Sequence, residues 1–333
     1  MQSTHDLDPA KIVPGIYFGL PEDIYHAAPW IGSSSAKKLY ACPPDYWFES
    51  NMNPLREADE PTFAQSFGRA LHHRILYGEA AFVRDHQFIE KTTGESVSAE
   101  DLKTFIKEQG GVPAKLKAEN ERYVRDELKV NLLTEHTYQR IMVAAAHITK
   151  NPHLALAFTN GYPEVSVFWH EEGGVPCKAR WDYWKARAIV DLKSFRSKER
   201  IRSLDEIVLQ DLFNYRYDIQ TAWYLRGHER AGELLEAGKV FVAPGATAPA
   251  ADWMAKSLRE KSHWVFIFFR ADGMPVAKSY QIPNGSPAHE AGKAAMRLAL
   301  DNYRDNLAKF GTDAWVNVDE PFIIAEEDMP KWL

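Results

Sequence analysis

The chain has 333 residues, 45% hydrophobic and 12% aromatic, enough for one large domain or two small ones with a real core. Its two cysteines, Cys42 and Cys177, are too few and too far apart for a disulfide framework, an iron–sulfur cluster or a four-thiolate zinc site. A formal net charge of −6 gives no global attraction for nucleic acid, so a polyanionic partner has to meet a local basic patch.

The opening stretch, MQSTHDLDPAKIVPGIY, has no positive segment leading into an apolar run, and no transmembrane-length apolar run occurs, so a cytoplasmic protein without membrane contact is expected. IGSSSAKKLYACPPDYWF predicts a helix that Ser33, Ser34 or Ser35 can cap and Pro43-Pro44 stops. FAQSFGRALHHRILYG predicts a second, with Phe63, Phe67, Leu71 and Ile75 at helical spacing. From about Arg84 to Lys117 the chain turns polar and glycine-containing, an excursion with one short amphipathic helix. EHTYQRIMVAAAHITKNPHLALAF is helical up to Gly161.

Three strand-like runs follow, EVSVFWH, VPCKARWDYW and AIVDLKSF, with a turn at Glu171 to Gly174; this is a β-meander. A long helix is expected from about Leu204 to Gly227, then a polar excursion from about Glu229 to Ser262. The strands HWVFIFFR and VAKSYQIP and the helix AHEAGKAAMRLALDNYRDNLAKFG complete the pattern. The order of elements predicts an α/β fold, a central mixed sheet flanked by helices.

In AIVDLKS, Asp191 and Lys193 share one strand face while Val190 and Leu192 share the other. In CKARWDYW, alternation places Lys178, Arg180, Asp182 and Trp184 on one face, and Glu164 opens the first strand of the meander. Three carboxylates and an ammonium on three consecutive strands suit a hard divalent cation, which keeps clustered carboxylates ionised. A lysine among them can orient or help deprotonate a metal-bound water, and the set suits in-line displacement at phosphorus, that is, phosphodiester hydrolysis. The plainer alternative is an ion pair on a half-exposed strand beside carboxylates at strand ends. The basic residues from Lys178 to Arg202 supply either the local patch or a solvated face, and the aromatics Phe168, Trp169, Trp181, Tyr183 and Trp184 read as packing.

The order Glu164, Arg180 with Asp182, Asp191 with Lys193, and Gln220 with Tyr224 resembles the PD-(D/E)XK nuclease superfamily, and most closely its exodeoxyribonuclease VIII (RecE-type) branch of phages and prophages. GRALHH is similar to that branch's Gly-x-x-x-His helix and places the histidine at His72; SSSAKKLYACPPDYW and MPKWL resemble its two ends. The resemblance implies a restriction-endonuclease-like core. It makes Glu164, Asp182, Asp191, His72 and the Leu192 carbonyl metal ligands for one or two Mg²⁺ ions, with Mn²⁺ as a substitute. Lys193 would position the attacking water. Gln220 and Tyr224, one helical turn apart, would support the site and contact DNA. Arg180 could bind phosphate or pair with a carboxylate, with phosphate preferred; Lys178 and Arg196 join it as DNA-binding candidates. His73 has no counterpart, and Arg270 stands where relatives often have glutamate.

On this reading the chain is one nuclease domain, 1–333, with a helical part over 1–160, the catalytic core over 161–310 and a tail over 311–333. The expected activity is Mg²⁺-dependent 5′-to-3′ exonuclease action on linear double-stranded DNA, leaving 3′ tails for recombination. A homo-oligomeric ring (trimer or tetramer) at DNA ends and a single-strand annealing partner go with it. The alternatives are a structure-specific or single-strand endonuclease on the same core, and a non-catalytic DNA-binding module.

Overall fold

The computed structural model describes residues 7–56, 63–197 and 202–316; the MPKWL segment lies outside them. The elements are β1 (Gly15–Phe18), α1 (Glu22–Ala27), α2 (Ser33–Ala41), α3 (Pro43–Glu49), α4 (Phe63–Leu76), α5 (Gly78–Asp85), β2 (His86–Ile89), α6 (Ala99–Glu108), α7 (Lys117–Asp126), β3 (Asn131–Thr134), α8 (Glu135–Lys150) and α9 (Pro152–Ala155). The meander strands β4 (Gly161–His170), β5 (Pro176–Lys185) and β6 (Ala188–Phe195) come next. After them lie α10 (Leu204–Asn214), α11 (Tyr217–Glu236), β7 (Val240–Val242), α12 (Ala251–Arg259), β8 (His263–Arg270), β9 (Ala277–Ile282) and α13 (Pro287–Phe310).

Seven strands form one mixed sheet in the order β7-β1-β4-β5-β6-β8-β9. The meander pairs antiparallel as its short turn requires, whereas β6 and β8 pair parallel, their connection being long enough to hold three helices. One face packs on α2, α11 and α13 through Ala36, Leu39, Ile219, Trp223, Ala295 and Ala299. The other packs on α4 and α8 through Phe67, Leu71, Ile141 and Ala145. The result is the helix–sheet–helix layering expected of the α/β class.

Several expectations need correction. Ser33–Ser35 do not cap α2: Gly32 holds the N-cap position without a side-chain bond. The Pro43-Pro44 pair stops α2 but also starts α3, since proline is well suited to a first helical turn. The long helix expected over 204–227 is two helices, split where Arg216 takes a left-handed backbone conformation (φ 50°). The excursion after Arg84 has a core of its own, Leu102, Phe105, Ile106 and Val124, and closes with β2 and β3 in a parallel pair. Four-residue strands more than forty residues apart leave no local periodicity to read. β1 and β7, also short, extend the main sheet for the same reason.

The simple alternation expected for β5 fails at one point that matters for the site. Trp184 does not share a face with Arg180: it packs in the same core cluster as Cys177, Ala179 and Trp181, while Tyr183 belongs to the opposite cluster. The phase of both strands switches between Pro163 and Val165 and between Trp181 and Tyr183, yet the register across them is unbroken. The cause lies in Glu164, whose backbone is left-handed (φ 54°), a conformation that costs a non-glycine residue about 1–2 kcal/mol.

The two large helices on the α2 side cross at Gly292 of α13. A Cβ there would lie 2.1 Å from the carbonyl oxygen of Asp218 in the first turn of α11, so only glycine lets the helices approach this closely. Gly292→Ala is expected to lower the unfolding free energy by about 1–3 kcal/mol through overpacking, measured by urea denaturation. A neutral or stabilising effect, as for an ordinary exposed helical glycine, would contradict the crossing.

Candidate active site

The β5–β6 ladder consists of Tyr183 with Val190, Trp184 with Ile189 and Lys185 with Ala188. Beyond it the strands separate, β5 pairing only with β4 and β6 only with β8. Asp182 and Asp191 stand at the point of separation. Asp182 Oδ2 accepts a hydrogen bond from the backbone N–H of Leu192 at 2.8 Å, replacing the lost ladder.

Because Val190 and Leu192 pack toward α4 and α8, Asp191 and Lys193 project toward α11. Asp191 is 1% exposed. Its Oδ1 accepts from Gln220 Nε2 at 2.9 Å, and its Oδ2 lies 2.8 Å from Lys193 Nζ without the alignment of a hydrogen bond. Burial pushes the Asp191 carboxyl up to about 6; the Lys193 charge opposes this and the Asp182 charge reinforces it. Burial alone would lower the pKa of Lys193, but the Asp191 and Asp182 charges outweigh it and push the ammonium above its ordinary value. Lys193 therefore stays charged.

From the opposite face α4 contributes His72, whose Nε2 is 2.8 Å from the Leu192 carbonyl oxygen and whose Nδ1 is 3.5 Å from Asp182 Oδ2. One ligand atom from each of His72, Glu164 and Asp182 falls within 4.8 Å of the others. In a Mg²⁺ octahedron with bonds of 2.0–2.1 Å, neighbouring ligands sit about 3 Å apart and opposite ones about 4 Å. Imidazole nitrogen, carboxylate oxygen and a strand carbonyl at these separations form a donor set that Mg²⁺ or Mn²⁺ can use. The buried Oδ2 of Asp191 is taken up by the Lys193 ammonium at 2.8 Å. The residues present therefore fit a divalent cation, with His72, Glu164, Asp182 and the Leu192 carbonyl around it and Asp191 adjoining.

The remaining candidates distribute unevenly. Gln220 is in the site through Asp191. Tyr224 packs edge-on against Trp264 with ring centroids 5.0 Å apart and lies beside Ser33 of α2; burial, with the nearby Asp191 charge, pushes its hydroxyl pKa up. Arg180 takes the alternative to phosphate binding. Its Nε donates to Glu164, and Nη1 donates to the Leu20 carbonyl at 2.8 Å, because the left-handed turn at Glu164 brings that carboxylate onto the guanidinium. Lys178, a DNA-binding candidate, turns its ammonium inward. Its ammonium meets the carbonyls of Tyr25, His26 and Ala28 at 2.7, 3.3 and 2.7 Å, so all three donors serve the end of α1. Arg196 lies over the Phe63 ring and 3.6 Å from Glu95. His73 pairs with Asp85 at 3.2 Å, outside the cation set, and Arg270 pairs with Asp272 at 3.2 Å. The five meander aromatics are all buried, in keeping with packing.

Sequence reasoning missed two neighbours of Lys193. Tyr217 has its ring centroid 5.9 Å from Lys193 Nζ, and Lys37 lies over the same ring. The available signals were spacings: Tyr217 precedes Gln220 by three residues and Lys37 follows Ser33 by four, so each shares a helix face with a residue already singled out.

A mixed sheet that parts at two aspartates, with Asp-x-Lys on the inner strand, defines a PDDEXK-type domain. Residues 32–243 match the family described as the PDDEXK-like domain of unknown function, DUF3799, and the chain belongs to it. No curated protein matches. Among solved structures, a chain from Eubacterium rectale described as a candidate exonuclease is 14% identical, with 86% of this chain and 87% of that one covered and a TM-score of 0.48. A second, SSO0001, is 14% identical over 61% of this chain and 83% of its own, with a TM-score of 0.24. These scores are too low to carry an activity across. No helix among the described residues is long and apolar enough to cross a membrane.

The protonation of Asp191 sets a pH dependence. An aspartate in the unfolded chain loses its proton near 4, whereas in the folded, metal-free chain Asp191 holds it to about 6. Between these values the folded state binds the extra proton, so this group's contribution to stability is present below about 4 and fades as pH rises through 6. A cation drawn to the same carboxylates gains hold as the proton leaves. The rise in Tm on adding Mg²⁺ or Mn²⁺ is expected to grow from pH 5 to 7 and to be largely lost in Asp182→Asn. A shift independent of pH over that range would contradict the assignment.

Proposed function

We propose that this protein is a divalent-cation-dependent deoxyribonuclease that hydrolyses linear double-stranded DNA from an end, in the 5′-to-3′ direction, leaving 3′ single-stranded tails. The observation that carries the proposal is the Asp191–Lys193 pair, a buried carboxylate with a half-buried ammonium, set beside His72, Glu164 and Asp182 where β5 and β6 part. When bound, a divalent cation would supply Lewis acidity, activating water and neutralising charge at the phosphate. Lys193, held cationic by Asp191, orients the attacking water and stabilises negative charge that develops on the phosphate. Gln220 holds Asp191 by its Oδ1, which fixes the carboxylate's orientation. His72 is in turn oriented by Leu192 and Asp182. End dependence, direction, the closed ring of three or four subunits, and a single-strand annealing partner follow from the RecE-type resemblance. A ring would let a net-acidic chain gather its basic residues in a channel around DNA.

Linear duplexes labelled at the 5′ or the 3′ end, incubated beside a closed circle with Mg²⁺ or EDTA, test this directly. The expected result is Mg²⁺-dependent release of the 5′ label with the circle intact, reduced at least about a hundredfold in Lys193→Ala. Cutting of the circle would establish an endonuclease instead. A wild type that binds DNA and cuts neither substrate would reduce the domain to a binding module.

A further inference from the structure

Helix α2 lies against α11 and turns one face toward the site. Ser33 in its first turn lies beside Tyr224, and Lys37, four residues on, follows on the same face. The Lys37 ammonium lies 4.4 Å from the centroid of Tyr217, the ring that Lys193 Nζ also approaches, at 5.9 Å. Two ammonium groups thus share one aromatic ring, a favourable contact for each but not a neutralising one.

Their surroundings differ. Lys193 has Asp191 at 2.8 Å, whereas Lys37 has no hydrogen-bond or ion-pair partner among the described residues, and it is half-buried. Other half-buried or buried cations nearby are all matched: Arg180 by Glu164, Arg216 by Asp218 at 2.9 Å, and Lys178 by three carbonyls. Burial first, and then the charge of Lys193, push the Lys37 pKa down to about 7. An unmatched ammonium held near a like charge is costly in the free protein, and an anion entering the cleft relieves that cost.

Resting on the nuclease reading above, we infer that Lys37 is a substrate-binding residue that completes its ion pair with a backbone phosphate of the DNA, beside the phosphate served by Lys193. The packing of α2 on α11 sets its position. Lysine suits this role because a single point charge on a flexible stem can follow a phosphate without bidentate geometry.

The test is binding of a short fluorescent duplex in Ca²⁺, which occupies oxygen sites and is used here to hold DNA without turnover, across a series of salt concentrations. Lys37→Met keeps the apolar stem and removes the charge; Lys37→Arg keeps the charge. Lys37→Met is expected to weaken binding about tenfold near 0.1 M salt and to make the slope of log affinity against log salt shallower by about 0.9, the signature of one lost phosphate contact. Lys37→Arg should stay within about threefold of wild type, with its slope unchanged, and Lys37→Met, which removes the unmatched charge, should melt no lower than wild type. Wild-type affinity and slope in Lys37→Met, or weakening without a change of slope, would overturn the inference. The nuclease reading fails separately: a wild type that binds DNA but never cuts sinks that reading while the salt slope still decides Lys37. A wild type that binds no DNA overturns both.

Discussion

The site depends on one buried charge arrangement, the Asp191 carboxylate held between Lys193 and Gln220. Taking a carboxylate out of water costs several kcal/mol unless its lone pairs are met. Here one oxygen is bonded to an amide and the other faces an ammonium, so the group is tolerated without being fully neutralised. The remaining imbalance shows in the raised Asp191 pKa, and it makes a bound cation favourable. Asp191 alone would be an uncompensated buried charge, which is why the pair is better described as a unit than as two residues.

The position of that unit follows from the sheet. Alternating side chains let one strand address both helix layers: Leu192 packs against the α4–α8 side while Asp191 and Lys193 face α11. Where β5 and β6 separate, groups from both layers reach the same space, His72 from one side and Gln220 and Tyr217 from the other. The opening is stabilised locally by Asp182, whose carboxylate takes over a backbone N–H that the ladder no longer satisfies. The left-handed backbone at Glu164 belongs to the same construction, since it turns that carboxylate into the cluster and pairs it with Arg180. Strain of this kind persists only where surrounding contacts hold it in place, and Arg180 with its bond to the Leu20 carbonyl provides one.

Much of this was legible in the chain. Period-2 and period-3.6 patterns located the meander and most long helices, because those elements bury a face and their apolar residues repeat accordingly. The Asp-x-Lys spacing placed two side chains on one face wherever that strand lay, and the Gln220–Tyr224 spacing did the same for a helix. Short strands were illegible: β1, β2, β3 and β7 each have three or four residues, too few to display a period, and they exist because distant partners complete their hydrogen bonds. The roles of the cations were also hidden. Lys178, Arg180 and Lys193 lie within sixteen residues of one another and look alike as a basic run, yet each ends with a different kind of partner.

The sequence by itself determined the class of fold and the residue types of the site, since periodicity and side-chain chemistry are local properties. Only the tertiary structure decided which charges meet. The partner of Arg180 was set by a backbone turn at Glu164, that of Lys178 by the end of a helix some 150 residues earlier, its bond to the Ala28 carbonyl spanning that separation, and the unmatched state of Lys37 by the way α2 lies on α11. Electrostatic energy depends on distance and burial, and neither is defined until the chain has closed its long-range contacts.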